Sequence, residues 1–191
     1  QLHAPEHVIL LRGNHEFFID NDGVIEGGVR PAETVDNLRT KVPMDMLRDM
    51  HQLFEELPGA FVFGGMLLVH GGIPADSVIR DEVKSLGSLN NPVVRFQMMW
   101  SDPSPADVVP TVLQDQSIRY AFGRLQAQAF LQRIGCHSLL RGHERFDPGF
   151  VRHMHDDRAM IATLFSAGGA SNHDLPLDSS YRRGTPMAVT I

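Results

Sequence analysis

Three stretches of the 191-residue chain share one design, an apolar run that ends in a glycine-flanked polar tip: "VILLRGNHE", "MLLVHGGIP" and "HSLLRGHER". The tips offer Asn14, His15, His70 and His143. Strand ends in α/β or layered β folds are where functional groups are displayed. Glycine there lets the backbone turn sharply and approach a ligand closely. Imidazole nitrogens and an amide oxygen suit a borderline divalent cation such as manganese, iron or zinc. A lone histidine at a strand end serves as readily as a hydrogen-bonded structural residue, and asparagine before histidine is ordinary turn chemistry. The chemistry is therefore argued from three tips together.

The pattern predicts elements that position those tips. Residues 6 to 12, "EHVILLR", read as a buried strand. Asn21 to Arg30 is rich in glycine and acidic residues and reads as a loop, either plain surface or a lid over a substrate. Apolar spacing from Pro31 to Leu57 predicts two helices split by Pro43, the second ending before Pro58. "GAFVFGGMLLVHGG" predicts a β-hairpin turning at Gly64-Gly65. Residues 75 to 98 show weaker helical patterning, broken near Asn90-Asn91-Pro92, and "SDPSPADVVP" is a proline-rich loop. An amphipathic helix is predicted from about Phe122 to Ile134, with Phe122, Leu125, Ala129, Phe130 and Ile134 on one side. "HSLLRGHE" is a second strand with a polar end. "FVRHMHDDRAMIATLFSA" reads as a hairpin turning at Asp156-Asp157, and "TPMAVTI" as a last short strand. His153 and His155 would share a face of that hairpin, as exposed histidines rather than a small metal site. No repeat or interdomain linker interrupts the chain, so residues 1–191 are read as one domain.

Composition narrows the class. The apolar fraction of 42% and charged fraction of 21% are those of a globular protein. No apolar run approaches the ~20 residues of a membrane helix, and no signal peptide is evident at the start. A net charge of -6 argues against broad nucleic-acid binding. Arginine outnumbers lysine fifteen to two, which fits phosphate handling and equally fits genome composition. One cysteine, Cys136, excludes an internal disulfide and reads as a buried thiol; a reducing cytoplasm is the expected location.

At these residues the chain resembles a known family. "LLRGNHE" resembles the LRGNHE motif of the phosphoprotein phosphatases, the metal-dependent serine/threonine phosphatases within the calcineurin-like metallophosphoesterases. "VHGGIP" resembles their HGG motif and "LLRGHE" their third histidine motif. "MWSDP" at Met99 to Pro103, "YAFG" to "FL" at 120 to 131 and "TLFSA" at 163 to 167 extend the resemblance over nearly the whole chain. It implies an α/β (α+β) fold, a metallophosphoesterase β-sandwich flanked by helices. It also implies a metal-dependent phosphoric-monoester hydrolase in which a metal-bridging hydroxide attacks phosphorus directly. Asn14, His70 and His143 would ligate the second of two divalent metals (Mn, Fe or Zn). His15 would protonate the leaving alkoxide or hold the phosphate, and Arg119 would hold phosphate oxygens. Glu16, Asp102 and Glu144 would orient the histidines, or serve as structural ion pairs.

In the family, GDxH and GDxxDRG motifs upstream of GNHE supply the first metal's ligands and the bridging aspartate. The thirteen residues before Asn14 contain neither, and the chain opens on Gln1. The expectation is the C-terminal portion of a longer catalytic domain, with its N-terminal strands missing. Alone it would have at most one well-liganded metal site and little turnover. The expected partner is a phosphoprotein or small phosphomonoester, with no nucleic acid and no membrane. The loop "GGASNHD" lacks the tyrosine that the family's protein phosphatases carry there. Two alternatives follow: a small-molecule phosphatase such as a dinucleoside polyphosphate hydrolase, and an inactive phosphatase-like binding module.

Overall fold

The computed structural model describes residues 6–29, 33–157 and 159–190. Arg30, Pro31, Ala32, Arg158 and Ile191 of the predicted elements lie outside them. The chain runs β1 (Phe18–Asn21), β2 (Val24–Gly27), α1 (Glu33–Arg39), α2 (Met44–Glu56), β3 (Ala60–Phe63), β4 (Met66–Val69), α3 (Asp76–Glu82), α4 (Pro92–Trp100), β5 (Asp102–Pro103), α5 (Thr111–Gln114), β6 (Ala121–Phe122), α6 (Arg124–Arg133), β7 (Ser138–Arg141), β8 (Phe150–His155) and β9 (Met160–Leu164). Five strands form one mixed sheet in the order β3-β4-β7-β9-β8, and two small two-stranded sheets stand beside it. No helix among the described residues is long and apolar enough to cross a membrane.

β7 sits at the centre, and its four residues are all buried. Leu67, Val69, Leu139 and Ile161 of the sheet share one core with Val94 and Met98 of α4 and Ala127, Phe130 and Leu131 of α6. Phe130 is 1% exposed. Phe130→Ala is expected to cost about 3–5 kcal/mol of stability, read from chemical denaturation at constant slope.

β4 and β7 are parallel, with Val69 opposite Arg141. Parallel strands in that register end together. The tips that follow them must therefore meet, and the Gly142 N–H donates to the His70 carbonyl at 3.0 Å.

Several expectations are corrected. Residues 6 to 12 are not a strand: Val8, Ile9 and Leu10 are 40–48% exposed. Among the described residues this run takes one backbone bond, from Arg12 N–H to Pro58 O. An apolar run becomes a strand only where a neighbour offers its backbone. The stretch from Asn21 is not a loop but the second half of the β1-β2 hairpin, turning at Asp22 (φ 50°) and Gly23 (φ 88°). Asp-Gly favours that two-residue turn. In α6, Leu125 and Ala129 face solvent and Gln126 faces inward, because its amide bonds Gly123 N–H, Val109 N–H and O, and Asp76. Residues 185–190 form no strand, although Thr185 N–H reaches Asp147 O and Met187 N–H reaches Phe165 O. A bulge between Arg152 and Met154 breaks the alternation around His153. His153 Nε2 then meets Thr163 Oγ1 at 2.7 Å, while His153 and His155 are both exposed, as expected.

Candidate active site

Asn14, His70 and His143 come together. His70 Nε2 lies 2.8 Å from Asn14 Oδ1, and Asn14 Nδ2 lies 3.4 Å from His143 Nε2. The two imidazole rings are 5.1 Å apart, centre to centre. Asn14 is 4% exposed.

Each tip is locked locally. In the first, Arg12 Nε donates to Glu16 O at 2.8 Å, and Gly13 N–H donates to Glu16 Oε2 at 2.9 Å. A side chain at position 13 would put its Cβ 3.1 Å from the His70 ring and 2.6 Å from Glu16. Glycine is thus required for the first two tips to approach. At the second tip, Gly71 and Gly72 N–H both donate to Met98 O, and a Cβ on Gly71 would lie 2.6 Å from that oxygen. At the third, His143 adopts φ 67°, a left-handed conformation costly for a non-glycine residue. The Glu144 N–H to Gly142 O bond and the His143–Asp102 pair hold it there.

Asp102 organises the site from behind. Its Oδ1 accepts from His143 Nδ1 at 2.9 Å and from Arg141 Nη2 at 2.6 Å. Its Oδ2 accepts from Arg119 Nε at 2.7 Å and Nη2 at 2.6 Å. A carboxylate only accepts, so His143 carries its proton on Nδ1 and turns the Nε2 lone pair toward Asn14. Carboxylate-held imidazoles of this kind are characteristic of metal ligands. Burial opposes ionisation of Asp102, but the His143 hydrogen bond and the Arg141 charge outweigh it and hold its carboxyl down to about 2. Burial, reinforced by His143, Arg141 and His15, pushes His70 down to about 3. His70 is therefore neutral at pH 7, the form a cation needs.

These shifts set an acid dependence. Between its ordinary pKa near 6.5 and about 3, His70 takes up a proton more readily in the unfolded chain than in the folded one. Stability therefore falls as pH drops through that window. The Asp102 contribution, present above its ordinary value of 3.8, is lost as pH falls through about 2. The thermal midpoint is expected to fall steadily from pH 7 to pH 4. A flat profile would remove His70 from the buried, neutral role.

The site contains groups beyond the expected ones. Arg141, whose guanidinium is fully buried, donates to Asp102, Glu144 Oε2 (2.6 Å), Thr163 Oγ1 (3.1 Å), Ser101 O (3.3 Å) and Gly71 O. Trp100 packs edge-on against His143 at 6.0 Å. The signal for Arg141 was present in "LLRGHE", but an arginine at a strand end reads equally as a phosphate ligand or a buried strut. Of the three carboxylates expected to orient the histidines, Asp102 touches one. Glu16 caps Gly13, and Glu144 pairs with Arg141. Arg119 lies on Asp102 with its side chain 52% exposed, and His15 is exposed beside Asn14.

The donors fit a cation. Ligands of one metal with bonds of about 2.1 Å keep about 3 Å from each other; Asn14 Oδ1 and His70 Nε2, 2.8 Å apart, have that spacing, and His143 Nε2 stands 3.4 Å from the same carboxamide at its Nδ2. Among the described residues no three His, Cys, Asp or Glu side chains cluster as a metal site. This set has two imidazoles and takes its third donor from a carboxamide.

Residues 1–144 match the calcineurin-like phosphoesterase family, and the chain belongs to it. Its mixed sheet with flanking helices is that family's α/β fold. Among curated proteins, it is 30% identical over 168 residues to human serine/threonine-protein phosphatase 5, covering 85% of this chain and 31% of the relative. It is 29% identical over 175 residues to the serine/threonine-protein phosphatase 6 catalytic subunit of Caenorhabditis elegans, covering 87% of this chain and 48% of the relative. The chain thus spans less than half the length of either. A solved Saccharomyces cerevisiae protein serine/threonine phosphatase, described as similar to human phosphatase PP5, superposes with a TM-score of 0.60 at 22% identity. That alignment covers 87% of this chain and 50% of the solved one.

Proposed function

We propose that the chain carries one metal-binding half of a phosphoric-monoester hydrolase acting on phosphoserine or phosphothreonine in proteins. The observation that carries this reading is the convergence of Asn14, His70 and His143, with His15 next in the chain. The relatives' names support the substrate class.

Asn14 Oδ1 and the Nε2 atoms of His70 and His143 would hold one divalent cation. When bound, such a cation supplies Lewis acidity to phosphoryl oxygens and lowers the pKa of water from about 15.7 toward 7. The chain's residues do the rest. Asp102 fixes the His143 ring and tautomer, and burial keeps His70 neutral. His70 would ligate as the neutral tautomer that carries its proton on Nδ1 and leaves the Nε2 lone pair to the cation. His15 stands free to give a proton to the departing alkoxide. Arg119 can leave Asp102 to grip a phosphoryl oxygen, because Arg141 still neutralises that carboxylate. The three metal donors are uncharged, so the isolated chain is expected to bind metal weakly and turn over slowly.

A second reading, a small-molecule phosphatase such as a dinucleoside polyphosphate hydrolase, rests on the loop "GGASNHD" with its missing tyrosine. A binding module without turnover is the third. Phosphate release from phosphopeptides, p-nitrophenyl phosphate and a dinucleoside polyphosphate, with manganese or zinc, separates them. Preference for phosphopeptide supports the proposal, and preference for the dinucleotide supports the second reading. Metal binding with no release from any substrate supports the third.

A further inference from the structure

We infer that the cavity between Arg12, Phe17 and the first turns of α4 is a binding site for a small monocarboxylate that carries an aromatic ring. It is separate from the metal cradle and needs neither a metal nor a phosphoester.

The cavity measures about 370 Å³. Its charged lining residues are Arg12, Glu55 and Arg95, and its apolar walls include Phe17, Val93 and Phe96. A mostly apolar hollow of a few hundred Å³ with a few convergent polar groups is the usual form of a small-molecule site.

Arg12 points to the charge of the occupant. The residue is 1% exposed. Its guanidinium makes two hydrogen bonds, from Nε to Glu16 O at 2.8 Å and from Nη2 to Glu55 Oε1 at 2.7 Å. A guanidinium has five N–H donors, so three have no protein acceptor among the described residues. Arg95 spends its donors on the same residue, from Nη1 to Glu55 O at 3.2 Å and from Nη2 to Glu55 Oε2 at 3.3 Å, and its Nε has no acceptor among the described residues. The Arg12 hydrogen bond holds Glu55 below the usual carboxylate range, so it is ionised at neutral pH. Two guanidiniums against one carboxylate leave one net positive charge and spare donors in a fork, which suit a single carboxylate. A dianion such as phosphate would meet Glu55 with one charge uncompensated.

The walls supply the rest. The Arg12 guanidinium lies over the Phe17 ring at 5.7 Å, and Phe17 meets Phe96 edge-on at 5.9 Å. A Cβ on Gly59 would lie 2.6 Å from Arg95 Cγ, so the arginine stem rests on bare backbone. The Arg12 N–H is tied to Pro58 O. Such a seat loses little freedom on binding, and its two rings favour an aromatic guest in offset or edge-on contact. Phe96 in turn leans on Trp100 at 6.3 Å, and Trp100 packs against His143. An occupant resting on Phe96 is therefore one side chain away from the wall of the metal cradle, which makes this an effector position.

The test uses the full chain without added metal. Calorimetric titration with 3-phenylpropionate is expected to saturate at one equivalent. The neutral 3-phenylpropanamide, propionate without the ring, and inorganic phosphate are each expected to bind at least about tenfold more weakly. Amide NMR is expected to place the shifts at Val93 to Phe96 and at the indole N–H of Trp100, the chain's one tryptophan. Arg95→Gln removes one of the two cations. Val93→Asp sets a negative charge on a wall residue that is 51% exposed and so is dispensable for folding. Each is expected to weaken binding about tenfold, with a thermal melt confirming that the chain is folded. Absence of saturation, equal binding of the amide or of phosphate, shifts confined to Asn14, Arg119 and His143, or an affinity indifferent to both substitutions overturns the site.

Discussion

Arg141→Met is expected to destabilise the chain by about 3–5 kcal/mol, the usual cost of removing one partner of a buried ion pair. Methionine fills much of the arginine's volume but donates nothing. Asp102, Glu144, Thr163 and two backbone carbonyls would then lose a donor at once. Lysine keeps the charge but cannot fork to so many acceptors, so Arg141→Lys should retain only part of the stability. Urea denaturation of the three proteins measures this. A loss below about 1 kcal/mol for Arg141→Met would mean that the network is hydrated and that Asp102 does not depend on Arg141.

His15→Asn carries the second large expectation. A positioned proton donor contributes about 10²- to 10⁴-fold to rate. The phosphoester turnover of the metal-loaded protein should fall by that factor, while bound metal, measured by elemental analysis, stays the same. The separation follows from the geometry. Asn14 reaches both ring nitrogens through its own amide, and His15, the exposed next residue, is not part of that triangle. If metal departs with activity, His15 is a ligand or a fold residue, and the proton donor lies elsewhere.

Much of the site was legible because motif and topology agree. "VHGG" and "LLRGH" each follow a strand, and the parallel register of β4 and β7 brings those strand ends together. The helices around Pro43, the Gly64-Gly65 hairpin and the breaks near Asn91 and Pro92 also followed from local chemistry, since proline and glycine act where they stand. What escaped depended on partners. "EHVILLR" has the composition of a strand, yet pairing needs a neighbour that composition does not reveal. The helix stripe through Leu125 and Ala129 was misplaced because a buried glutamine can displace an aliphatic residue when its amide is fully bonded. Arg141 looked like any strand-end arginine until its five acceptors were found on four separate segments. Asp22-Gly23 signals the β1-β2 turn, but the surrounding glycines and acids read as loop.

The central claim is that one cation is shared by a carboxamide and two imidazoles. Long-range nitrogen–proton NMR of the histidine rings during zinc titration tests it most directly. The expected result is a one-to-one shift of the Nε2 resonances of His70 and His143, lost in Asn14→Ala, with the other histidines unmoved. Zinc-induced shifts confined to histidines away from these tips, and indifferent to Asn14→Ala, would contradict it.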